Sequence, residues 1–221
     1  LIAYAPCVGT PEKIICVGRN YIEHAKESGS EPPKHPILFS KFNNALTGHN
    51  SEVPLPPHAE QCDYEAELAL IIGKEIKNVP EDEALDAVFG YTCANDISAR
   101  DLQFLTPQWL IGKSPDRFLP LGPYLVTADE VKDPQNVNVK LWLNDDLRQD
   151  SNTRHMIFSL KTIISFASKH FTLKPGDVII TGTPEGVIMG REEKDWLKPG
   201  DEIAIEIGDL GRLSNTIIKG H

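Results

Sequence analysis

Short apolar runs separated by Gly and Pro set the rhythm of this chain. Lys13–Gly18 (KIICVG), Ile37–Lys41 and Tyr91–Asp96 have the length and composition of buried strands. Asp63–Lys74 (DYEAELALIIGK) is the clearest strand, and its second half is apolar on both faces. Further strands are predicted at Tyr124–Thr127, Val137–Leu143, Asp177–Thr181, Glu202–Ile207 and Leu213–Ile218. Asn144-Asp145-Asp146 reads as a hairpin turn. Lys174-Pro175-Gly176-Asp177 and Lys198-Pro199-Gly200-Asp201 read as turns that feed strands. Helical spacing is confined to three places: Tyr21–Ser28, stopped by Gly29; Glu81–Val88, after Pro80; and Ser159–His170, where Ile163, Ile164 and Phe166 require burial. Ala45–His58 reads as loop, and Arg100–Gly112 as a loop or a broken helix. Strands outnumber helices and the helices stand alone, so the expected fold is a β-rich α+β domain. No repeat or low-complexity tract divides the chain, so residues 1–12 are expected to be a lead-in and 13–221 a single domain.

At 221 residues the chain can bury one sizeable core but is short for two. Its 40% hydrophobic and 24% charged content excludes a disordered chain. No apolar run approaches the ~18 residues of a membrane-spanning helix. With 22 Lys+Arg against 32 Asp+Glu, the net charge of −10 is ill suited to phosphate backbones, so nucleic acid is not an expected partner. Cys7, Cys16, Cys62 and Cys93 match no zinc or CxxC spacing, and Cys16 and Cys93 read as buried small hydrophobes. The N-terminus lacks a basic segment followed by an apolar one, and a cytoplasmic location is the expectation. The sequence begins at Leu1 rather than Met.

Glu65 and Glu67 are two apart on a predicted strand, so both carboxylates share a face. Alone they could be a solvated strand face. The apolar continuation Leu68–Ile72 argues for an interior position, where two like charges repel and are desolvated. A hard cation such as Mg²⁺, Mn²⁺ or Ca²⁺ would relieve both costs. Asp96, at the end of an apolar strand, is the candidate third ligand, and Asp101 competes for that role; either could instead cap the following turn. His24 and Glu27 are three apart on a predicted helix, the spacing of either a surface pair or a general base with its orienting carboxylate. The other histidines (His35, His49, His58, His155, His170 and His221) have no such partner and read as structural or exposed. Thr181-Gly182-Thr183-Pro184-Glu185-Gly186 follows a strand and is either a tight turn or a backbone cradle for a carboxylate. Lys113 is either solvated or placed to neutralise an enolate. Arg117 is either a surface residue or a partner for a distal carboxylate.

The order of these pieces carries more than any one of them. Gly18-Arg19-Asn20-Tyr21 with His24-x-x-Glu27, then Asp63-Tyr64-Glu65-Ala66-Glu67-Leu68, resembles the fumarylacetoacetate hydrolase family. So do Gly90-Tyr91-x-x-x-Asn95-Asp96-x-x-Ala99-Arg100-Asp101-x-Gln103, Gly112-Lys113-Ser114 and Thr181-Gly182-Thr183-Pro184-x-Gly186-Val187. The resemblance is strongest to the shorter bacterial branch, near acylpyruvate hydrolases, oxaloacetate decarboxylases and 2-hydroxyhepta-2,4-diene-1,7-dioate isomerases. It implies a mixed β-roll with a few short helices, usually paired as a homodimer. It implies metal ligation by Glu65, Glu67 and Asp96, with Mg²⁺ or Mn²⁺ as the ion. It makes His24 and Glu27 a catalytic dyad on a mobile segment and puts Lys113 beside the metal. Arg19, Gln103 and Thr183 match ligand-contacting positions. The implied activity is C–C cleavage in a small 2-keto acid, by acylpyruvate hydrolysis or oxaloacetate decarboxylation, with an isomerase as the alternative and a non-catalytic member as the remote one. Some relatives carry a small N-terminal domain, and the non-Met start is consistent with its absence here.

Overall fold

The computed structural model describes residues 2–220. His221 and the Leu1 start therefore lie outside the described residues. The strands are β1 (Ile14–Gly18), β2 (Ile37–Ser40), β3 (Leu46–Thr47), β4 (Glu52–Leu55), β5 (Cys62–Asp63), β6 (Ala66–Ile72) and β7 (Val88–Asn95). They continue as β8 (Ser98–Ala99), β9 (Leu119–Thr127), β10 (Asn138–Leu143), β11 (Asp146–Asn152), β12 (Val178–Ile180), β13 (Glu202–Ile207) and β14 (Arg212–Lys219). The α-helices are α1 (Ile22–Glu27), α2 (Arg100–Gln103), α3 (Leu110–Lys113) and α4 (Leu160–His170).

A seven-stranded mixed sheet runs β2-β1-β12-β6-β7-β9-β3, and a five-stranded one runs β11-β10-β13-β14-β4. The strand-rich α+β character and curled mixed sheets are those expected. One large apolar cluster joins the sheets, with Leu68, Leu70, Leu141, Ile205 and Ile217 among its members, and α4 adds Ile163, Ile164 and Ala167. β6 is central because every residue of AELALII is buried. It pairs antiparallel with β7, in register Ala66↔Asn95 and Glu67↔Ala94, and with β12 on its other side. That pairing delivers Glu67 to the end of β6 and sets Glu65 and Asp96 just beyond the last paired residues.

Three expectations change. Glu81–Val88 is not a helix: a four-residue 3₁₀ turn (Ala84–Ala87) ends where β7 begins, because the apolar run from Val88 onward is claimed by the sheet. The strand at Tyr124–Thr127 starts earlier, at Leu119. β4 lies in the stretch read as loop; Pro54 is accommodated because β4 is a sheet edge, parallel to β14. β11 is polar in sequence but is the return arm of the Asn144 hairpin. Asn144 and Asp145 take φ of 51° and 70°, as a tight hairpin requires. Arg100–Gly112 is a broken helix, α2 and α3.

Candidate functional site

Carboxylate oxygens of Glu65, Glu67 and Asp96 lie within 4.8 Å of one another, and all three residues are buried. The hairpin end builds this convergence. The Asn95 side-chain oxygen accepts from the Glu65 backbone N–H at 3.0 Å, and the Asp96 N–H donates to the Glu65 carbonyl at 2.9 Å. Glu67 is held from the far side, where the Gly182 N–H donates to its Oε2 at 2.7 Å. Gly182 has φ of 93°, and a Cβ there would lie 2.7 Å from the Asn20 Cβ, so the turn after β12 admits only glycine. Asp101, the competitor, is elsewhere: it accepts from the Glu60 N–H and from the N–H of Leu102.

Three buried cations face these acids. Lys113 bridges Glu65 Oε2 and Asp96 Oδ2 at 2.7 Å each. Lys41 Nζ lies 2.7 Å from Asp96 Oδ1. Arg100 reaches Glu65 Oε1 at 2.7 Å and Asp63 Oδ2 at 2.8 Å. Burial pushes the Glu65 carboxyl up, but the charges of Lys113 and Arg100 outweigh it and hold it well below the usual carboxylate range. Among the described residues Glu67 has no cation in hydrogen-bond reach; burial, with Asp96 and Glu65 beside it, pushes it well up. Four carboxylates thus face three cations, and one acidic group has no charge partner in contact. An all-oxygen donor set with unmatched negative charge fits a hard divalent ion.

A cavity of about 240 Å³ opens over the cluster, lined among others by Arg19, His24, Glu67, Gln103, Lys113 and Thr183. α1 forms one wall. His24 Nδ1 is 2.8 Å from Glu27 Oε1, and the Gly186 N–H donates to Glu27 Oε2 at 3.0 Å. The carboxylate thus fixes one ring nitrogen and turns Nε2 free. The Thr181–Gly186 turn is a carboxylate cradle after all, but for the protein's own Glu67 and Glu27. Gln149 donates to Thr183 Oγ1 at 2.9 Å, which leaves the Thr183 hydroxyl proton to donate elsewhere. Arg100 donates to Gln103 Oε1 at 3.0 Å and so leaves the Gln103 amide N–H₂ as donor. Arg19 makes no salt bridge among the described residues, and its guanidinium lies 5.6 Å from the Trp109 ring centre. Arg117 is exposed, bonds the Glu52 carbonyl at 3.3 Å and does not line the cavity.

Lys41, Arg100 and Asp63 also belong to the site, and neither spacing nor residue type singles them out in the sequence. Lys41 closes a predicted strand, a position where a lysine ordinarily reaches solvent; here it is 2% exposed. Asp63 and Arg100 stand inside the quoted motifs. Asp63 accepts from the N–H groups of Tyr64, Ile188 and Met189 and from Arg100 Nε.

Buried acids gathered under an oriented histidine, across one small cavity, make this an enzyme site. Residues 13–218 match the model of the fumarylacetoacetate (FAA) hydrolase C-terminal family, and the chain belongs to that family. It is 46% identical over 213 residues to the mitochondrial oxaloacetate tautomerase fahd2 of Xenopus laevis, covering 96% of this chain and 67% of the relative. Among solved structures it superposes on the 2-hydroxyhepta-2,4-diene-1,7-dioate isomerase of Mycobacterium marinum with TM-score 0.83 and 36% identity, over 95% of this chain and 75% of the other. It superposes on the fumarylpyruvate hydrolase of Pseudomonas aeruginosa, solved with Mn²⁺ and pyruvate, with TM-score 0.87 and 32% identity, over 99% and 98%.

Proposed function

We propose that the protein is a divalent-metal enzyme that breaks the C3–C4 bond of a small 2-keto acid and leaves a pyruvate enolate. The observation that carries this reading is the carboxylate triad Glu65, Glu67 and Asp96 lying opposite the His24–Glu27 pair across one cavity. The triad would hold Mg²⁺ or Mn²⁺, and the ion would supply Lewis-acid polarisation of the keto acid. Mn²⁺ in the Pseudomonas relative supports the ion class. Lys113 offsets charge as it develops on the enolate oxygen. Gln103 and Thr183 donate to substrate oxygens. Arg19, the cavity cation without an acidic partner, takes a distal anionic group.

For an acylpyruvate, His24 Nε2 takes a proton from water, the hydroxide adds to the C4 carbonyl, and C3–C4 breaks with its electron pair left on C3. His24 then returns the proton to C3. For oxaloacetate the same bond breaks with loss of CO₂, and no water is consumed. A second reading, favoured by the name of the Xenopus relative, is tautomerisation of oxaloacetate, in which a proton moves between C3 and the C2 oxygen and no carbon bond breaks. Isomerisation of an unsaturated dicarboxylate is the third reading, favoured by the Mycobacterium marinum structure.

The test is steady-state turnover with Mg²⁺ or Mn²⁺ on acetylpyruvate and oxaloacetate, scoring pyruvate release and enol–keto interconversion separately. Pyruvate above the metal-only background supports C–C cleavage; interconversion without pyruvate replaces it by tautomerisation. Asp96→Asn is expected to lose Mn²⁺ binding and turnover together; retained metal-dependent activity overturns the ligand assignment. His24→Ala is expected to keep Mn²⁺ binding and to lose about 10²–10⁴ in acylpyruvate hydrolysis.

The homodimer implied by the resemblance is also carried forward. Sedimentation velocity at micromolar protein reads it: a purely monomeric boundary removes it. Cytoplasmic residence is also carried forward: four free thiols fit a reducing compartment, as the mitochondrial matrix is too, and the Xenopus relative is mitochondrial.

A further inference from the structure

α1 has six residues and its N-cap makes no side-chain bond. A helix this short has little stability of its own, so docking contacts decide where His24 stands. The Asn20 side chain, which donates to the Thr181 carbonyl and accepts from the Phe158 N–H, anchors the entry to α1; at its far end the docking group is Glu27. Its carboxylate is gripped by His24 and by the Gly186 N–H, and it rests against the bare Cα of Gly190. A Cβ built at Gly190 would lie 2.8 Å from the Glu27 Cγ and nearer still to its Cδ and Oε2, too close for any of them. The Gly190 backbone lies outside the left-handed region, so glycine is not required there for its own conformation. What requires glycine is the acid above it.

The turn Ile188–Gly190 is itself anchored. Asp63 Oδ1 accepts from the Ile188 N–H at 2.8 Å and Oδ2 from the Met189 N–H at 3.0 Å. The same Asp63 carboxylate accepts from Arg100 Nε at 2.9 Å, and Arg100 contacts Glu65. One buried acid thus ties the seat under Glu27 to the carboxylate triad.

We propose that Gly190 is a positioning residue for the dyad: its missing side chain forms the seat for Glu27, and Asp63 holds that seat in register with the triad. This rests on the reading of His24 as general base. The three atoms nearest a methyl at Gly190 all belong to the Glu27 side chain and none to backbone, so Glu27 is the group that yields. Glu27 must then leave its seat, release the Gly186 N–H and loosen its grip on His24.

The test uses the full chain with Mg²⁺, comparing Gly190→Ala, Glu27→Ala and the double variant. Four readouts are taken: kcat on whichever substrate of the panel turns over, the His24 imidazole ¹⁵N signals by NMR, Mn²⁺ affinity and melting temperature. Gly190→Ala is expected to keep Mn²⁺ affinity, to lose the His24 Nδ1–H to Glu27 signature, and to lower kcat about 10²-fold, as for a misplaced catalytic group. In the Glu27→Ala background the seat is vacant, so Gly190→Ala is expected to cost neither turnover nor melting temperature. An unchanged His24 signature in Gly190→Ala overturns the seat. So does an equal loss of melting temperature or of kcat in both backgrounds. A lost signature with wild-type kcat leaves the seat standing and overturns the general-base reading instead.

Discussion

At the scale of single residues, charge matching organises the site. Glu65 and Glu67 are two apart in sequence yet meet opposite fates, because Lys113 and Arg100 contact the first and no cation contacts the second. Spacing alone showed that the two acids share a face; it did not show which of them the protein neutralises. Lys41 was illegible for a related reason. A lysine at a strand end normally extends into water, and only the β6–β7 hairpin, distant in sequence, supplies Asp96 to receive it. Lys41→Met should therefore be costly: removing one partner of a buried pair destabilises by about 3–5 kcal/mol. Urea unfolding of the Mg²⁺-free protein reads this, and a loss under about 1 kcal/mol would show that Lys113 alone suffices for Asp96.

At the scale of elements, legibility followed how far each element's stability is local. The Asn144 hairpin and the turns at Lys174 and Lys198 have their chemistry in adjacent residues, and they are where the sequence places them. β11 and β4 do not. β11 is polar and exists because β10 offers it a ladder, and β4 exists because β14 does. The helices divide in the same way. α4 carries its own start signal: the Ser159 side chain accepts from the Thr162 N–H at 3.1 Å. Ser159→Ala should cost about 1 kcal/mol, or about 2–4 °C in melting temperature for a chain of this size. Calorimetry of the variant checks it, and an unchanged transition would mean that the packing of Ile163 and Ile164 holds the helix end without the cap. α1 has no such signal and depends on tertiary contacts instead, those of Asn20 at its start and of Glu27 at its end.

At the scale of the whole molecule, the decisive contacts are the ones a local pattern cannot show. β1 pairs parallel with β12, Ile14 against Val178, and the resulting sheet shares one apolar cluster with the second sheet. Motif order, through the family resemblance, indicated this architecture where periodicity could not. The shared core has a pH signature. Cys62, Cys93 and Tyr91 all belong to it, and burial pushes each of them up to about 12. In the unfolded chain the two thiols titrate near 8.5 and the phenol near 10. Above those values the unfolded chain has lost protons that the folded protein still holds, so stability must fall as pH rises. The contribution is complete below about pH 8.5 and is lost progressively toward about pH 12. Melting temperature under reducing conditions should be level up to that point and then decline. Replacing Cys93 by Ala removes one of these groups and should make the decline shallower. An unchanged slope in that variant would show that the Cys93 thiol stays out of the alkaline transition, and would remove Cys93 from the buried groups that titrate only when the shared core opens.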